Sequence, residues 1–339
     1  MGLAHHVFNE VELFSLFSRR DWTGVIVPSC LFAAGPALTL PLNVALPRCL
    51  FVVAWTCLYL YAFNLANQSL GDIVEDRINK PHRPIPSGRV SLRGARARCA
   101  VVWALFLSTA LFYRTIWREN LTHLVISLFL VRTRAGGHWI GKNVVGISLL
   151  GAVMLSAPRK IMMGTSLVGS QTMTTTTTTT AAGTVLMGTE NDVVAICVWL
   201  ALSYHVQDFR DQAGDKAVGR STLPIAFGDV PARLVYTFVF MPVGLAVVCA
   251  WGPGGDAPWL VAAMHAFVGY RLLAFHDKDA DDWTYKILLY IFCVLAALGS
   301  VRYLRSAALS SSVEATMRGW GRGEELRNWL ALGVASPGF

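Results

Sequence analysis

Apolar runs of about 20 residues, the length a helix needs to cross roughly 30 Å of hydrocarbon, recur along this chain and are separated by short loops that hold most of its charge. In hydrocarbon every backbone N–H and C=O must be satisfied within its own segment, so a chain written this way folds as a bundle of membrane-spanning helices. About nine candidate spans follow, at 25–46, 48–70, 95–113, a shorter one at 117–131, then 144–163, 193–207, 230–251, 258–275 and 285–304. The fold class expected is an all-α polytopic bundle. Of the 339 residues 54% are hydrophobic and 15% charged, which leaves too few polar groups to cover a soluble domain of this size. Pro28, Pro36 and Pro41 fall in the first run, where a span tolerates them if neighbouring helices satisfy the freed carbonyls.

The formal net charge of +8 could suit a nucleic acid, yet Lys and Arg sit in loops between apolar runs and form no continuous basic face. No nucleic-acid partner is expected; membrane topology and an anionic substrate account for the charge. With four spans between residues 64–89 and 205–224, these two polar stretches open on the same side of the bilayer. Arg19, Arg20, Arg77, Lys80, Arg83, Arg89, Arg93, Arg210, Lys216 and Arg220 assign that side to the cytoplasm, against Arg302 and Arg305 at the far end. The expectation is a multi-pass protein of the endoplasmic reticulum with its mouth toward the cytoplasm. Residues 1–24 read as a cytoplasmic segment, whose early charges Glu10, Glu12, Arg19 and Arg20 are unlike a cleavable signal peptide. Residues 25–305 read as the transmembrane domain and 306–339 as an amphiphilic tail. Inside the domain, 164–191 is low in complexity, with an unbroken run from Thr174 to Thr180, and a disordered loop is expected there. The seven cysteines lie scattered in apolar segments without ligand spacing, as small buried hydrophobes.

The first polar stretch reads NLANQSLGDIVEDRINKPHRPIPSGR. Asn64, Gln68, Asp72 and Asp76 recur every four residues; each step advances about 40° beyond a full turn, so the four share about 120° of one helix face. Oxygen-bearing side chains at the end of a span are costly unless they face water, a metal or one another. The second stretch, HVQDFRDQAGDKAVGRSTLP, puts Asp208, Asp211 and Asp215 three and four residues apart, again on one face. One such cluster alone is most often a solvated turn; two, each closing a span beside basic residues, point to a divalent metal. Hard oxygen donors suit Mg²⁺, which is held by one or two carboxylates together with substrate phosphates, and the neighbouring cations would take the remaining phosphate charge. A diphosphate substrate follows. His138 and His205 read as packing residues, and Asp277, Asp279, Asp281 and Asp282 as a solvated loop. Trp55, Tyr59, Phe63, Trp199 and Tyr204 read as core or belt residues, some lining a pocket. A polytopic transporter is the alternative from another class, though its ionisable groups belong near the midplane and not at span ends.

Gln68-x3-Asp72-x3-Asp76 followed by HRPIPSG, and Asp208-x2-Asp211-x3-Asp215 followed by GRSTLP, resemble the two Asp-rich motifs of the UbiA superfamily of intramembrane prenyltransferases. The family's first motif usually opens on Asn, so Gln68 is a departure for which Asn67 or Asn64 could compensate. Glu75 beside Asp76, and the tract NKPHRPIPSG, are similar to a fungal branch of membrane-bound sesquiterpene cyclases. The resemblance implies about nine transmembrane helices around a central cavity capped by the motif loops. It implies Mg²⁺ on Asp72, Asp76, Asp208, Asp211 and Asp215, with Gln68 and Glu75 as further ligands. The diphosphate would be bound by Asn64, Lys80, Arg83, Arg89, Lys142, Lys216 and Arg220. The implied reaction ionises a prenyl diphosphate, farnesyl diphosphate first, to an allylic cation that closes on its own chain to a cyclic sesquiterpene. Transfer of the prenyl group to an aromatic acceptor is the alternative. Oligomeric state is left open.

Overall fold

The structure, a computed structural model, describes residues 3–71, 73–164 and 181–333, with side chains described for all of these except 3, 4, 6, 181–189 and 313–333. The described residues are helical and contain no strand; one isolated parallel bridge joins His138 to Ser221. Helix α1 (Leu3–Ser18) leads through a 3₁₀ turn, Arg19–Asp21, into α2 (Ile26–Leu38) and α3 (Leu42–Leu70). The first expected span, 25–46, is therefore divided. Pro41 is the reason: it caps α3 in an extended conformation, φ −64° and ψ 147°, and its ring drives the preceding residue out of the helical region.

A second correction falls at the motif. Helix α3 ends at Leu70 and Gly71 is extended (φ −78°, ψ −168°), so the four-residue repeat from Asn64 is not one continuous helix face. The chain restarts as α4 (Ile73–Asn79); Asp72, between them, lies outside the described residues. Next come α5 (Leu92–Ser108), α6 (Trp117–Arg132) and a π-helical segment, Ile140–Ile147, that runs directly into α7 (Ser148–Met163). Helix α8 (Ala181–Ser203) starts inside the stretch expected as a loop, and it continues without a break into the apolar run from Val193; Thr174–Thr180 lies outside the described residues. The second acidic stretch forms α9 (Val206–Ala217), followed by α10 (Leu223–Phe227) and α11 (Asp229–Val235). A π-helical Tyr236–Phe240 then connects to α12 (Met241–Ala250), and α13 (Pro258–Ala274) and α14 (Lys278–Gly333) complete the order. Helix α14 continues past residue 305, so the start of the expected tail is an extension of the last helix.

Among the described residues, five helical stretches are long and apolar enough to cross a membrane: Leu42–Leu70, Leu92–Leu111, Ile140–Met163, Asp229–Ala250 and Lys278–Ser312. Large apolar side chains such as Leu50, Val101, Leu105, Val125 and Phe238 stay exposed around the outside, an arrangement that lipid favours and water does not. Helix α14 packs along α2, α8, α9 and α13, α3 packs along α2, α5 and α6, and α7 joins α2, α6 and α8, so the helices close around a central space.

Of the acidic residues expected as a solvated loop, Asp277 and Asp279 are exposed, whereas Asp281 and Asp282 are built into the bundle. Asp277 Oδ1 accepts from the Ala280 N–H (2.9 Å) and caps α14. Asp282 pairs with Arg20 (2.7 Å) and Arg210 (2.6 Å). Arg233 holds Asp281 by two bonds of 2.8 and 2.7 Å, binds Asp229 at 3.0 Å, and donates to the Leu272 carbonyl at the end of α13 (3.0 Å). Both Arg233 and Asp281 are 1% exposed. Removing one partner strands the other as an uncompensated buried charge, which costs about 3–5 kcal/mol, whereas replacing both with apolar groups costs far less. Arg233→Met is therefore expected to lower stability by about that amount, with most of it recovered in the Arg233→Met/Asp281→Leu double variant, as read from thermal unfolding in detergent.

Candidate active site

The two acidic stretches meet. Asn79, the last residue of α4, donates to the Asp211 carbonyl (2.9 Å) and accepts from the Gly214 N–H (3.1 Å), which lays α4 against α9. Gly214 is required by this contact: a Cβ there would stand 2.3 Å from Asn79 Nδ2. The third contributor is the π-helical start of α7. Gly141 lets it fold back on the preceding loop, since a Cβ would lie 1.9 Å from the Ala135 carbonyl oxygen, and π-turns of this kind often serve to present functional side chains. Here they present Lys142 and Asn143. The loop before them is pinned by the bridge to 221, with Trp139 N–H donating to Ser221 O (2.9 Å) and Ser221 N–H to Gly137 O (3.1 Å), and this sets Arg220 beside the same site.

Between these elements lies a cavity of about 1150 Å³, counting its open mouth. Its ionic end is lined by Glu75, Lys80, Arg83, Lys142, Arg210, Asp211 and Arg220, and its apolar wall includes Leu60, Phe63, Leu150, Met154, Leu200 and Phe292. Asn64, Asn67, Gln207, Tyr59, Tyr204 and Tyr285 also face it. Each cation already holds a carboxylate. Lys80 Nζ bonds Glu75 (3.0 Å) and stands 3.3 Å from Asp211; Arg83 bonds Asp76 (2.6 Å); Lys142 bonds Asp208 (2.6 Å); Arg220 bonds Glu75 (2.9 Å) and Asp215 (2.8 Å). Asn143 donates to both Asp208 Oδ2 (2.7 Å) and His205 Nδ1 (2.9 Å), so His205 is a buried packing residue that helps seat the motif.

Burial and charge act against each other here. Burial tends to raise the Glu75 carboxyl, and Lys80 and Arg220 more than reverse it, holding it down at about 2. Asp211 is likewise pulled well below the carboxylate range: burial opposes, and Lys80, Arg210 and Lys142 prevail. Burial prevails at Asp76 and Asp215, whose carboxyls are raised despite Arg83 and Lys142 respectively.

The structure assembles most of the expected residues and sets a few aside. Asp76, Asp208 and Asp215 sit directly behind the cavity-lining cations, and Glu75, which was expected as one further ligand, is itself on the cavity wall. Gln68 is turned away, its amide donating to the Phe17 carbonyl (3.2 Å); it lies about 100° round the helix from Asn67, which takes the cavity face instead. Arg89 is exposed and pairs with Glu12 (2.5 Å), and Lys216 is exposed on the outer face of α9. The rigid loop from 80 to 90 carries Arg89 off with it. Residues the sequence reading missed are Asp21, Asn79, Asn143, Gln207 and Arg210. Asn79 and Asn143 each adjoin an identified lysine, and an amide buried next to a motif is the signal that was there to find them.

The donors fit magnesium better than a preformed metal cage. Among the described residues no three His, Cys, Asp or Glu side chains converge closely enough to hold an ion alone, and Mg²⁺ does not require this, because it retains waters and phosphate oxygens. Asp215 Oδ2 is buried without a hydrogen-bond partner, 3.8 Å from Lys142 Nζ. Such an orphaned acceptor is what a hard cation would satisfy.

An all-helical membrane bundle with a charged, buried reaction chamber is the class this fold and site define. Residues 26–294 match the UbiA prenyltransferase family. The chain is 37% identical over 303 residues to the polyprenyl transferase eriF of Hericium erinaceus, covering 89% of this chain and 98% of that protein. It is 38% identical over 297 residues to the diterpene cyclase eriG of the same organism, covering 88% and 90%. Among solved structures, a UbiA homologue from Archaeoglobus fulgidus bound to DMAPP and Mg²⁺ superposes with a TM-score of 0.56 at 15% identity, over 87% of this chain and 99% of that one. The protein belongs to the UbiA prenyltransferase family and is a membrane enzyme of that type.

Because the folded-state Glu75 carboxyl lies near 2 and its ordinary value is 4.5, its ion pairs contribute stability above about pH 4.5 and lose it as the pH falls toward 2. Glu75→Gln is expected to flatten that acid-side decline, by about 2 kcal/mol, in thermal unfolding curves taken between about pH 5 and about pH 3.

Proposed function

We propose that this protein is a Mg²⁺-dependent membrane-bound terpene cyclase that ionises an allylic prenyl diphosphate and closes the resulting cation on its own chain. The observation that carries the reading is the division of one cavity into an ionic end, with Lys80, Arg83, Lys142 and Arg220, and an aromatic and aliphatic wall. That division matches a molecule with a diphosphate head and an isoprenoid tail. The similarity to a diterpene cyclase supports it, as does the A. fulgidus homologue bound to DMAPP and Mg²⁺. Farnesyl diphosphate is the first candidate substrate, and the same relative makes geranylgeranyl diphosphate the next. The equal similarity to a polyprenyl transferase favours a second reading, transfer of the prenyl group to an aromatic acceptor. We read helices α2, α6, α8 and α13 as crossing the membrane with the five stretches named above, nine spans in all among the described residues, with the ionic mouth toward the cytoplasmic face of the endoplasmic reticulum.

The chain's part in the reaction follows from its donors. A lysine carries three N–H donors and an arginine five, so Lys80, Arg83, Lys142 and Arg220 can take phosphate oxygens while each keeps a carboxylate. Asp76, Asp208, Asp211, Asp215 and Glu75 would hold Mg²⁺, with Asp72 at the break between α3 and α4. Bound Mg²⁺ would supply the charge that makes diphosphate a better leaving group. Tyr59, Phe63 and Phe292 line the chamber, where aromatic faces stabilise a cation and their bulk excludes water that would quench it.

Asp211→Ala and Asp72→Ala are expected to reduce Mg²⁺-dependent diphosphate release to background while the protein remains in the membrane. The assay is farnesyl or geranylgeranyl diphosphate with Mg²⁺ and no acceptor, the organic extract being analysed by mass spectrometry. A cyclic hydrocarbon absent from both variants supports the cyclase; product formed only after an aromatic acceptor is added supports the transferase, and unchanged release in both variants overturns the site.

A further inference from the structure

Three carboxylates line the cavity among the described residues, Glu75, Asp211 and Asp21. Glu75 and Asp211 are held by cations at its ionic end. Asp21 is different. It ends the 3₁₀ turn that precedes α2, forms no ion pair among the described residues, and its one side-chain bond is from Asn64 Nδ2 to Oδ2 (3.0 Å). Asn64 stands on α3 seven residues before Gly71, about 10 Å farther into the bundle than the helix end where the motif begins. Gly24 and Val25, just after Asp21, line the cavity as well, and a Cβ on Gly24 would lie 3.4 Å from the Tyr204 hydroxyl. Asp21 is thus placed beside the Tyr204–Tyr285 pair, whose hydroxyls bond each other at 2.9 Å and whose Tyr285 ring carries the Arg210 guanidinium on its face.

A cyclisation that begins by losing diphosphate must end by losing a proton or capturing a nucleophile. The cation gives up a proton to any base in reach, so placement decides which one takes it. A cation-paired carboxylate is poorly suited, since its charge is already committed; a neutral phenol is far the weaker base. Resting on the cyclase reading above, we propose that Asp21 is the proton acceptor that ends the reaction, with Asn64 orienting it. The C–H bond next to the cationic carbon breaks, its electron pair forms the C=C bond of the product, and the proton passes to the free Oδ1 of Asp21, to leave later with solvent. No further reactant is needed. Asp21 takes no part in ionisation.

This separates two readouts that a role in metal or diphosphate binding would move together. With the prenyl diphosphate turned over by the wild-type protein, Asp21→Asn is expected to keep diphosphate release near the wild-type rate, while the olefin share of the product falls about tenfold or more. Alcohols from water capture take its place. Asp21→Glu is expected to restore olefin, and should Asp21→Asn not fold, Asp21→Ser, which also lacks the carboxylate, carries the same expectation. An unchanged product profile overturns the proposal. So does loss of diphosphate release in Asn and Glu variants that unfold at the wild-type temperature, because it places Asp21 in the ionising machinery. A wild-type protein that releases diphosphate only with an aromatic acceptor, or not at all, overturns the cyclase reading itself, and the proposal with it.

Discussion

Five carboxylates within a helical membrane bundle are tolerable only if each meets a partner, and here the partners come from other elements. Glu75 of α4 meets Arg220 from the loop after α9, Asp211 of α9 meets Lys80 from the loop after α4, and Asp208 meets Lys142 from the start of α7. Each bond therefore also clamps two elements together. Such pairs are weak sources of net stability because both charges must leave water, but the loss of one partner is severe. They make the relative placement of α4, α7 and α9 close to all-or-none. Asn79, bridging α4 to the backbone of α9 on both its amide atoms, sets the distance at which this happens.

On the function proposed above, the same network would receive an anion. In the structure the cations neutralise carboxylates; on that function, a metal on those carboxylates would leave the spare donors of the same cations for phosphate. The wall beyond them includes Leu60, Phe63, Leu150, Met154, Leu200 and Phe292, and on the proposed function a cation formed there would depend on aromatic rings and on the exclusion of water. Asp21 lines the same cavity, and its lack of an ion pair among the described residues sets it apart from Glu75 and Asp211.

Much of this was legible in the chain. The apolar runs identified a membrane bundle, and the parity of spans brought residues 64–89 and 205–224 to one end, as their contacts bear out. The triplet Asp208, Asp211 and Asp215 could be read from spacing because α9 is an unbroken helix. The first motif could not be read that way. Gly71 ends α3, so register argued from Asn64 fails beyond it and Glu75 reaches the wall; within α3, Gln68 turns to the Phe17 carbonyl, a contact with a distant segment that spacing does not encode. Arg89 and Lys216 have the right charge in the right loop, yet charge alone does not say which way a loop residue faces.

The sequence by itself determined the membrane setting of this protein, its helical class and the two acidic stretches with basic residues beside them, because hydrophobic length and the clustering of charge along a segment are local properties of the chain. Which carboxylates face the cavity and which stand behind a lysine was decided only by tertiary structure. So was the burial of Asp281 against Arg233, and the presence of Asp21 in the chamber at all. These depend on helix breaks, on the close approaches that Gly141 and Gly214 permit, and on contacts between residues more than forty positions apart. No periodicity within a segment encodes them.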